Sequence, residues 1–194
     1  MEPVKIEYYK SHRIEIHYDR DPLDPRTDYD NFGTMVCFHM RYTLGDKDHG
    51  FASPADLFEH IEKEKSFYRN LYLYDHSGVT MSVSPFSCPW DSGQVGIIFV
   101  DPETVRKEFS VKRISKKIKA KAFEILEAEV KTYDQFLTGE FYGYIILDKD
   151  GEHTDSCWGF DDIDFALEQA KEQINYYKPA QAKKIRAITK ITRK

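Results

Sequence analysis

The side chains of this sequence that could carry out covalent catalysis are cysteines, histidines and aspartates. Cys88 precedes Asp91 by three residues, and Cys157 follows Asp155 by two. A cysteine nucleophile needs a cation or a helix amino terminus to stabilise its thiolate, and a base within hydrogen-bonding reach. The candidates for nucleophile, base and orienting acid are Cys88 or Cys157, His76 or His153, and Asp91 or Asp155.

A small hydrolase or nuclease is one function that such residues could serve. His39 and Arg41 would add a pair that binds an acid or an anionic ligand, because alternate residues of a strand share one face. The same pair is also typical of a half-exposed polar strand face. The sequence contains no phosphate-binding glycine loop, no G-x-S-x-G elbow and no H-E-x-x-H motif. The enzymatic hypothesis therefore depends on five residues: His39, Arg41, Cys88, Asp91 and Cys157.

Two groups of residues raise the question of a metal site. His153 and Cys157 are four residues apart and could join Cys88 and His76 around zinc, but no close cysteine pair of the usual C-x₂-C kind is present. The acids between Asp28 and Gly33 lack both the spacing of an EF-hand loop and its distal glutamate. We therefore predict neither a metal nor another cofactor.

The segment from Val79 to Val100 must position these groups. Its sequence predicts two strands joined by a loop from Pro85 to Gly93. Ser and Asp side chains in such a loop bond to nearby backbone and keep it ordered. The segment from Asp155 to Phe160 has a similar composition. We predict that the two segments are loops in contact, with both tryptophans mostly buried; solvated indoles would indicate a recognition surface instead. The residues assigned to this structural role are Pro85, Cys88, Trp90, Asp91, Gly93, Asp155, Cys157 and Trp158.

The wider pattern predicts an α+β fold. Strands occur in hairpin-sized clusters, as from Lys5 to Tyr9 and from Arg13 to Tyr18, and not in regular alternation with helices. Apolar residues at steps of three and four predict a long helix from Ser115 to Leu137. We expect a single domain over residues 1–177 with a mainly antiparallel sheet and three to four packed helices. A basic tail, residues 178–194, would pack on the domain or extend from it.

The strand predicted from Thr34 to Tyr42 is the candidate for the centre of the sheet. Its two faces alternate, and the more apolar one should face the core. That face comprises Val36, Phe38, Met40 and Tyr42.

Charge is divided unevenly along the chain. The last 17 residues contain seven basic residues and no acid, so the net charge of −5 leaves −12 for residues 1–177. An acidic body repels nucleic-acid phosphates and attracts basic surfaces, although it also serves ordinary solubility. Direct nucleic-acid binding is therefore expected only through the basic tail. The lysines in the first half of the long helix oppose the helix dipole and could serve an acidic partner.

The sequence also indicates the cellular setting. No apolar run approaches the ~20 residues that span a bilayer, and the amino terminus has no apolar signal region. We therefore expect a cytoplasmic protein without a membrane partner. Its three cysteines, Cys37, Cys88 and Cys157, are expected to be free, buried thiols.

Four runs carry a resemblance to known proteins: DPRTDYDNFGTMVCFHMRYTLGD, SPFSCPWDSGQVGIIFV, EVKTYDQFLTGEFYGYII and DSCWGFDD. The chain resembles, over roughly residues 19–170, a family of uncharacterised proteins carried by bacteriophages and other mobile elements. The resemblance implies no assigned activity and no catalytic residues. It implies a setting, because small accessory proteins of mobile elements often counter bacterial defence systems.

Two hypotheses of different classes follow. The first is an anti-defence protein, comparable to anti-CRISPR or anti-restriction inhibitors, that binds a host defence nuclease or nucleoprotein complex through an acidic surface. The second is the hydrolase or nuclease described above. A broad acidic face would favour the inhibitor, and a cleft of converging His, Cys and Asp side chains would favour the enzyme.

Overall fold

The computed structural model describes residues 2–176. The predicted basic tail, residues 178–194, lies outside the described residues. Within them the chain divides into two compact units, which we call the terminal unit (residues 2–22 and 139–176) and the central unit (residues 23–138). The extension of one domain over residues 1–177 stays a prediction.

Eight strands and four helices make up the described part of the chain. In chain order they are β1 (Lys5–Tyr9), β2 (His12–Tyr18), β3 (Thr34–Cys37), α1 (Pro54–Glu64), β4 (Phe67–Asp75), β5 (Val79–Ser82), β6 (Ser92–Val100), α2 (Pro102–Glu108), α3 (Lys116–Thr138), β7 (Tyr142–Leu147), β8 (His153–Phe160) and α4 (163–176).

The terminal unit is an antiparallel sheet in the order β1-β2-β7-β8, with α4 packed on it. Lys10 and Ser11 both have positive φ and form the two-residue turn between β1 and β2. Helix α4 is capped by Asp162, whose Oδ1 accepts the backbone N–H of Phe165 at 2.7 Å. Alternate residues of β2 and β7 meet one face of α4 in a core of eight buried residues: Ile14, Ile16, Tyr144, Ile146, Ala166, Leu167, Ala170 and Ile174.

The central unit is a second antiparallel sheet, ordered β3-β6-β4-β5, with a helix on each face. Strand β6 is buried from Val95 to Val100 because its alternate side chains enter two different cores. Ile97 packs with Leu57 of α1 on one face, while Ile98 packs with the apolar stripe of α3 on the other. The start of α1 follows from its sequence, since Ser53 caps it and Pro54 occupies its first turn.

The α+β class, the antiparallel pairing and the packed helices are confirmed, while the strands divide between two sheets. The placing of the strand after Thr34 is wrong: β3 lies at an edge and ends at Cys37. Met40, predicted to face the core, is fully exposed. The chain turns instead at His39, whose Nδ1 accepts the backbone N–H groups of Arg41 and Tyr42 at 3.3 and 3.2 Å.

One buried ionic cluster, centred on Arg26, holds the loop before β3 in place. The Arg26 side chain is 1% exposed, and its guanidinium donates to both carboxylate oxygens of Asp46 at 2.7 and 2.9 Å. Its remaining N–H groups bond to Asn31, Glu129 and the Gly33 carbonyl. Burial opposes its charge, but the two carboxylates outweigh burial and raise the pKa of Arg26. We call Arg26, Asn31, Asp46 and Glu129 the Arg26 cluster.

The loop that resembled a calcium site in composition therefore serves this cluster. Glu129 also accepts the backbone N–H of Phe32 at 2.6 Å, which ties the loop directly to α3. Among the described residues, no helix is both long and apolar enough to cross a membrane.

Candidate binding surface around Trp90

The central unit has an open pocket of about 280 Å³ where β3 separates from β6. Strand β3 pairs with β6 only opposite Gly96 to Phe99, so the first residues of β6 border the pocket on that side. Phe38, His39 and Arg41 form one wall. Asp75 and Trp90 complete the lining with Asp91 and the start of β6. The pocket thus combines charged, aromatic and backbone groups.

The His39 turn, residues 38–42, is stiffened by its own side chains. The ring of His39 stacks on that of Tyr42 with centroids 5.1 Å apart and planes 11° from parallel. Because Nδ1 of His39 accepts two backbone N–H groups, its proton lies on Nε2. Arg41 forms an ion pair with Asp75, and the Tyr42 hydroxyl donates to the same carboxylate at 3.3 Å.

The Trp90 loop, residues 85–93, is held by hydrogen bonds from Cys88 to Ser92 and by a ring contact at Phe86. The Ser92 hydroxyl donates to the carbonyl of Cys88, and the thiol of Cys88 donates to Asp91 at 3.7 Å. The backbone N–H of Asp75 donates to the Asp91 carbonyl at 2.8 Å, which fastens the loop to the end of β4. Phe86 adds a ring contact with Tyr74, with centroids 5.7 Å apart. The loop is therefore ordered by local bonds, as its composition predicts.

Trp90 itself takes no part in this bonding and is 91% exposed. The prediction that Trp90 is mostly buried is wrong, because the loop is held by Cys88, Asp91 and Ser92 and needs no indole packing. Met40, at the tip of the His39 turn, is also fully exposed. Two large apolar side chains thus stand in solvent on loops that line one pocket. We call residues 38–42 and 85–93 together the Trp90 surface.

The groups proposed for covalent chemistry converge only in part. His39, Arg41 and Asp91 line the pocket together. Asp91 Oδ2 lies 3.3 Å from Nδ1 of His76 and also accepts the thiol of Cys88. Asp91 therefore lies between Cys88 and His76, where a cysteine nucleophile would need direct contact with its histidine base. A carboxylate partner does not supply the positive charge that stabilises a thiolate.

The remaining predicted residues lie in the terminal unit, where Asp155 to Phe160 is part of strand β8 and not a loop. Cys157 is exposed, and Asp155 accepts a bond from Gln173 of α4 at 2.8 Å. Trp158 is 46% exposed, so its predicted burial is also wrong. Its ring lies directly over Gly143 of β7, where a Cβ would find no room. The predicted contact between this segment and the Trp90 loop, which belong to different units, stays a prediction.

A smaller and more apolar pocket of about 200 Å³ adjoins the first. It is bounded by Pro54, Leu57 and Phe58 of α1, and it shares Phe38 and the Gln94–Val95 segment with the pocket beside Trp90. The two pockets therefore have lining residues in common, one pocket being mainly polar and the other mainly apolar. Their position has no simple sequence signal, since their walls come from four separate segments of the chain.

Cysteine, histidine and acidic side chains are also the usual protein ligands of metal ions. Within residues 2–176, no three or more His, Cys, Asp and Glu side chains form a group that could hold a metal ion. Cys37, the thiol outside the candidate sites, packs against the core that contains Met35, and burial raises its pKa to about 12. It is partly buried and inert, in keeping with the expected free thiol.

Comparison with protein-family models, curated proteins and solved structures finds no match to this chain. The resemblance to mobile-element proteins therefore stays a prediction.

Proposed function

We propose that this protein acts by binding a macromolecular partner through the Trp90 surface, and that it serves a mobile element as an anti-defence factor. The observation that carries the binding proposal is an ordered loop presenting a 91%-exposed tryptophan. Exposing an indole to water stabilises nothing in the chain itself, whereas tryptophan is among the commonest hot-spot residues of interfaces. The anti-defence setting is supported by the sequence resemblance alone.

The arrangement of the Trp90 surface suits association with a folded partner. Trp90 and Met40 supply the apolar contacts, and both types are enriched at interface cores. Arg41 lies beside them with its side chain 68% exposed and can reach a partner's acceptor groups. Because hydrogen bonds hold the loop before any partner arrives, little ordering entropy is lost on binding.

Charge supports a basic partner for the protein as a whole. Residues 1–22 and 139–177 contain 15 acidic and six basic residues, whereas residues 23–138 contain 18 and 15. Most of the net negative charge, −9 of −12, thus belongs to the chain segments of the terminal unit. Opposite charge accelerates encounter with a basic target, such as a nuclease surface that normally meets nucleic acid.

The test is capture of a partner from host lysate by wild type and by Trp90→Ala, followed by inhibition of the captured nuclease once purified. We expect Trp90→Ala and Met40→Ala to weaken capture by at least about tenfold, as for a hot-spot truncation. Tyr8→Ala is the matched control, since Tyr8 is an exposed aromatic side chain on β1 of the other unit.

The proposal fails if Trp90→Ala captures and inhibits as well as wild type while folding normally. Charge reversals in the terminal unit provide a second arm. We expect them to slow association at low salt and to have little effect at high salt, because screened charges no longer steer encounter.

A second candidate function is the hydrolase or nuclease, favoured by one observation: His39, Arg41 and Asp91 line the same pocket. If the protein is an enzyme, His39→Gln and Asp91→Asn should abolish turnover of a nucleic-acid or ester substrate while leaving the fold intact. Under the binding proposal, neither the wild type nor these variants turn over substrate. Cys88→Ser separates the two functions further, because it removes a nucleophile yet keeps a donor for Asp91.

A further inference from the structure

The segment from the last turn of α2 to the first turns of α3 carries the largest excess of basic residues in the described part of the chain. Eight basic side chains occur between positions 106 and 121, with Glu108 as the only acid. All eight are exposed. They are Arg106, Lys107, Lys112, Arg113, Lys116, Lys117, Lys119 and Lys121. We call residues 106–121 the basic segment.

Contacts within the chain account for one of the eight cations, Lys119, whose Nζ lies 5.1 Å from the ring centroid of Phe67 and 5.7 Å from that of Phe123. The ion pairs of the central unit use other cations, among them Arg26, Arg41 and Arg69, so the described residues give these eight no carboxylate partner. Helix α3 has no acid in its first turn, although the positive end of the helix dipole favours acids there. Lys117 and Lys121 also stand one turn apart and repel each other.

The basic segment is nevertheless held in a defined shape. The backbone N–H of Val111 donates to the Arg106 carbonyl at 3.0 Å, and Phe109 and Ile114 pack against the core of the central unit. Ser115 caps α3, its hydroxyl accepting the N–H of Ile118 at 3.3 Å. The basic side chains therefore project from an ordered, packed segment of the central unit.

We propose that the basic segment binds the phosphate backbone of nucleic acid without reading its sequence. This inference does not depend on the proposed partner of the Trp90 surface. It also departs from the expectation that only the tail, residues 178–194, could contact nucleic acid.

The composition of the segment favours phosphates over an acidic protein face. Six of its eight cations are lysines, which are depleted at protein–protein interface cores but serve as point charges for phosphates. The segment exposes no large apolar side chain that could anchor a protein partner. From Lys116 to Lys121 the helix rises about 8 Å, a length comparable to the ~7 Å axial span of three successive phosphates on one strand of a duplex.

The experiment measures anisotropy of a labelled 30-base-pair DNA duplex with the full-length chain at several salt concentrations. We expect the logarithm of the binding constant to fall with the logarithm of salt concentration at a slope of about −3 to −4, as for three to four phosphate contacts. Lys116→Glu with Lys117→Glu should weaken binding about tenfold and make the slope shallower by one to two.

Controls separate this site from general charge effects. Lys47→Glu with Lys131→Glu makes the same charge change in the central unit, at two exposed positions outside the segment, and should have less than a twofold effect. Lys117→Gln with Lys121→Gln tests the segment without adding acids. Trp90→Ala should bind the duplex as wild type does.

Four results would overturn the proposal. The first is no duplex binding by wild type at low salt, and the second is equal loss from the control pair. The third is loss that follows only Lys183→Gln, Lys184→Gln and Arg186→Gln, which would assign the binding to the tail. Binding to polyglutamate but not to the duplex would also reject it, in favour of an acidic protein partner.

Discussion

The Arg26 cluster, which joins a loop to α3, and the Trp90 surface both lie in the central unit, yet they differ in how completely their hydrogen-bonding and apolar groups are buried or paired. All five N–H groups of the Arg26 guanidinium have acceptors, and its side chain is 1% exposed. Trp90 and Met40 are exposed to solvent, although hydrogen bonds hold the loops that carry them. A buried group whose donors are all hydrogen-bonded within the chain indicates a role in stability. An ordered loop that exposes large apolar side chains indicates a role in binding.

The largest effect on stability should come from removing the central cation of the Arg26 cluster. We expect Arg26→Ala to lower the free energy of unfolding by about 3–5 kcal/mol, because it leaves two partly buried carboxylates without a counter-charge. Chemical denaturation measures this directly. Arg41→Ala is the matched control: its ion pair with Asp75 is largely exposed on the arginine side and should contribute about 1 kcal/mol or less. Equal losses from the two variants would remove the distinction between the regions.

A second variant probes a neutral bond close to the cluster. The hydroxyl of buried Tyr133 accepts the backbone N–H of Gly45 at 3.0 Å, and burial raises the pKa of Tyr133 to about 12. Tyr133→Phe leaves that N–H without an acceptor and should cost about 1–3 kcal/mol in thermal or chemical unfolding. Tyr68→Phe, on the exposed face of β4, should cost almost nothing; a similar loss there would mean that hydroxyl removal acts nonspecifically.

Thiol reactivity provides a further comparison between buried and exposed side chains. Burial raises the pKa of Cys37 to about 12, so Cys37 stays an uncharged thiol at pH 8 and throughout the range where alkylation is normally done. Cys157 is exposed on β8. Alkylation followed by peptide mass spectrometry should modify Cys157 first and Cys37 last. Modification of both at one rate would show that the core around Cys37 opens readily.

Much of the local structure could be predicted from the sequence, because it depends on neighbouring residues. The β1–β2 hairpin, the Ser53 cap of α1 and the apolar stripe of α3 all belong to this class. The strand after Thr34 was overextended because alternation alone continues to Tyr42, whereas the His39 side chain bonds the following backbone and turns the chain.

The site was harder to predict, because its groups meet only after folding. The partners of Arg26 lie up to 103 residues away, and no periodicity marks them. The one available signal was the presence of Arg26 among the aspartates of residues 21–30. The order of the Trp90 loop could be predicted from its Ser, Asp and Gly residues. The exposure of Trp90 could not, since composition alone does not show whether a tryptophan side chain is buried or exposed.

The most direct test of this account is Trp90→Ala measured for both stability and partner capture. If the loop displays Trp90 for binding, the free energy of unfolding should change by less than about 0.5 kcal/mol, while capture of the partner falls at least about tenfold. Loss of about 3–5 kcal/mol, the cost of truncating a buried aromatic, would contradict it and make the indole a structural element. Unchanged capture by a stable Trp90→Ala protein would contradict it equally.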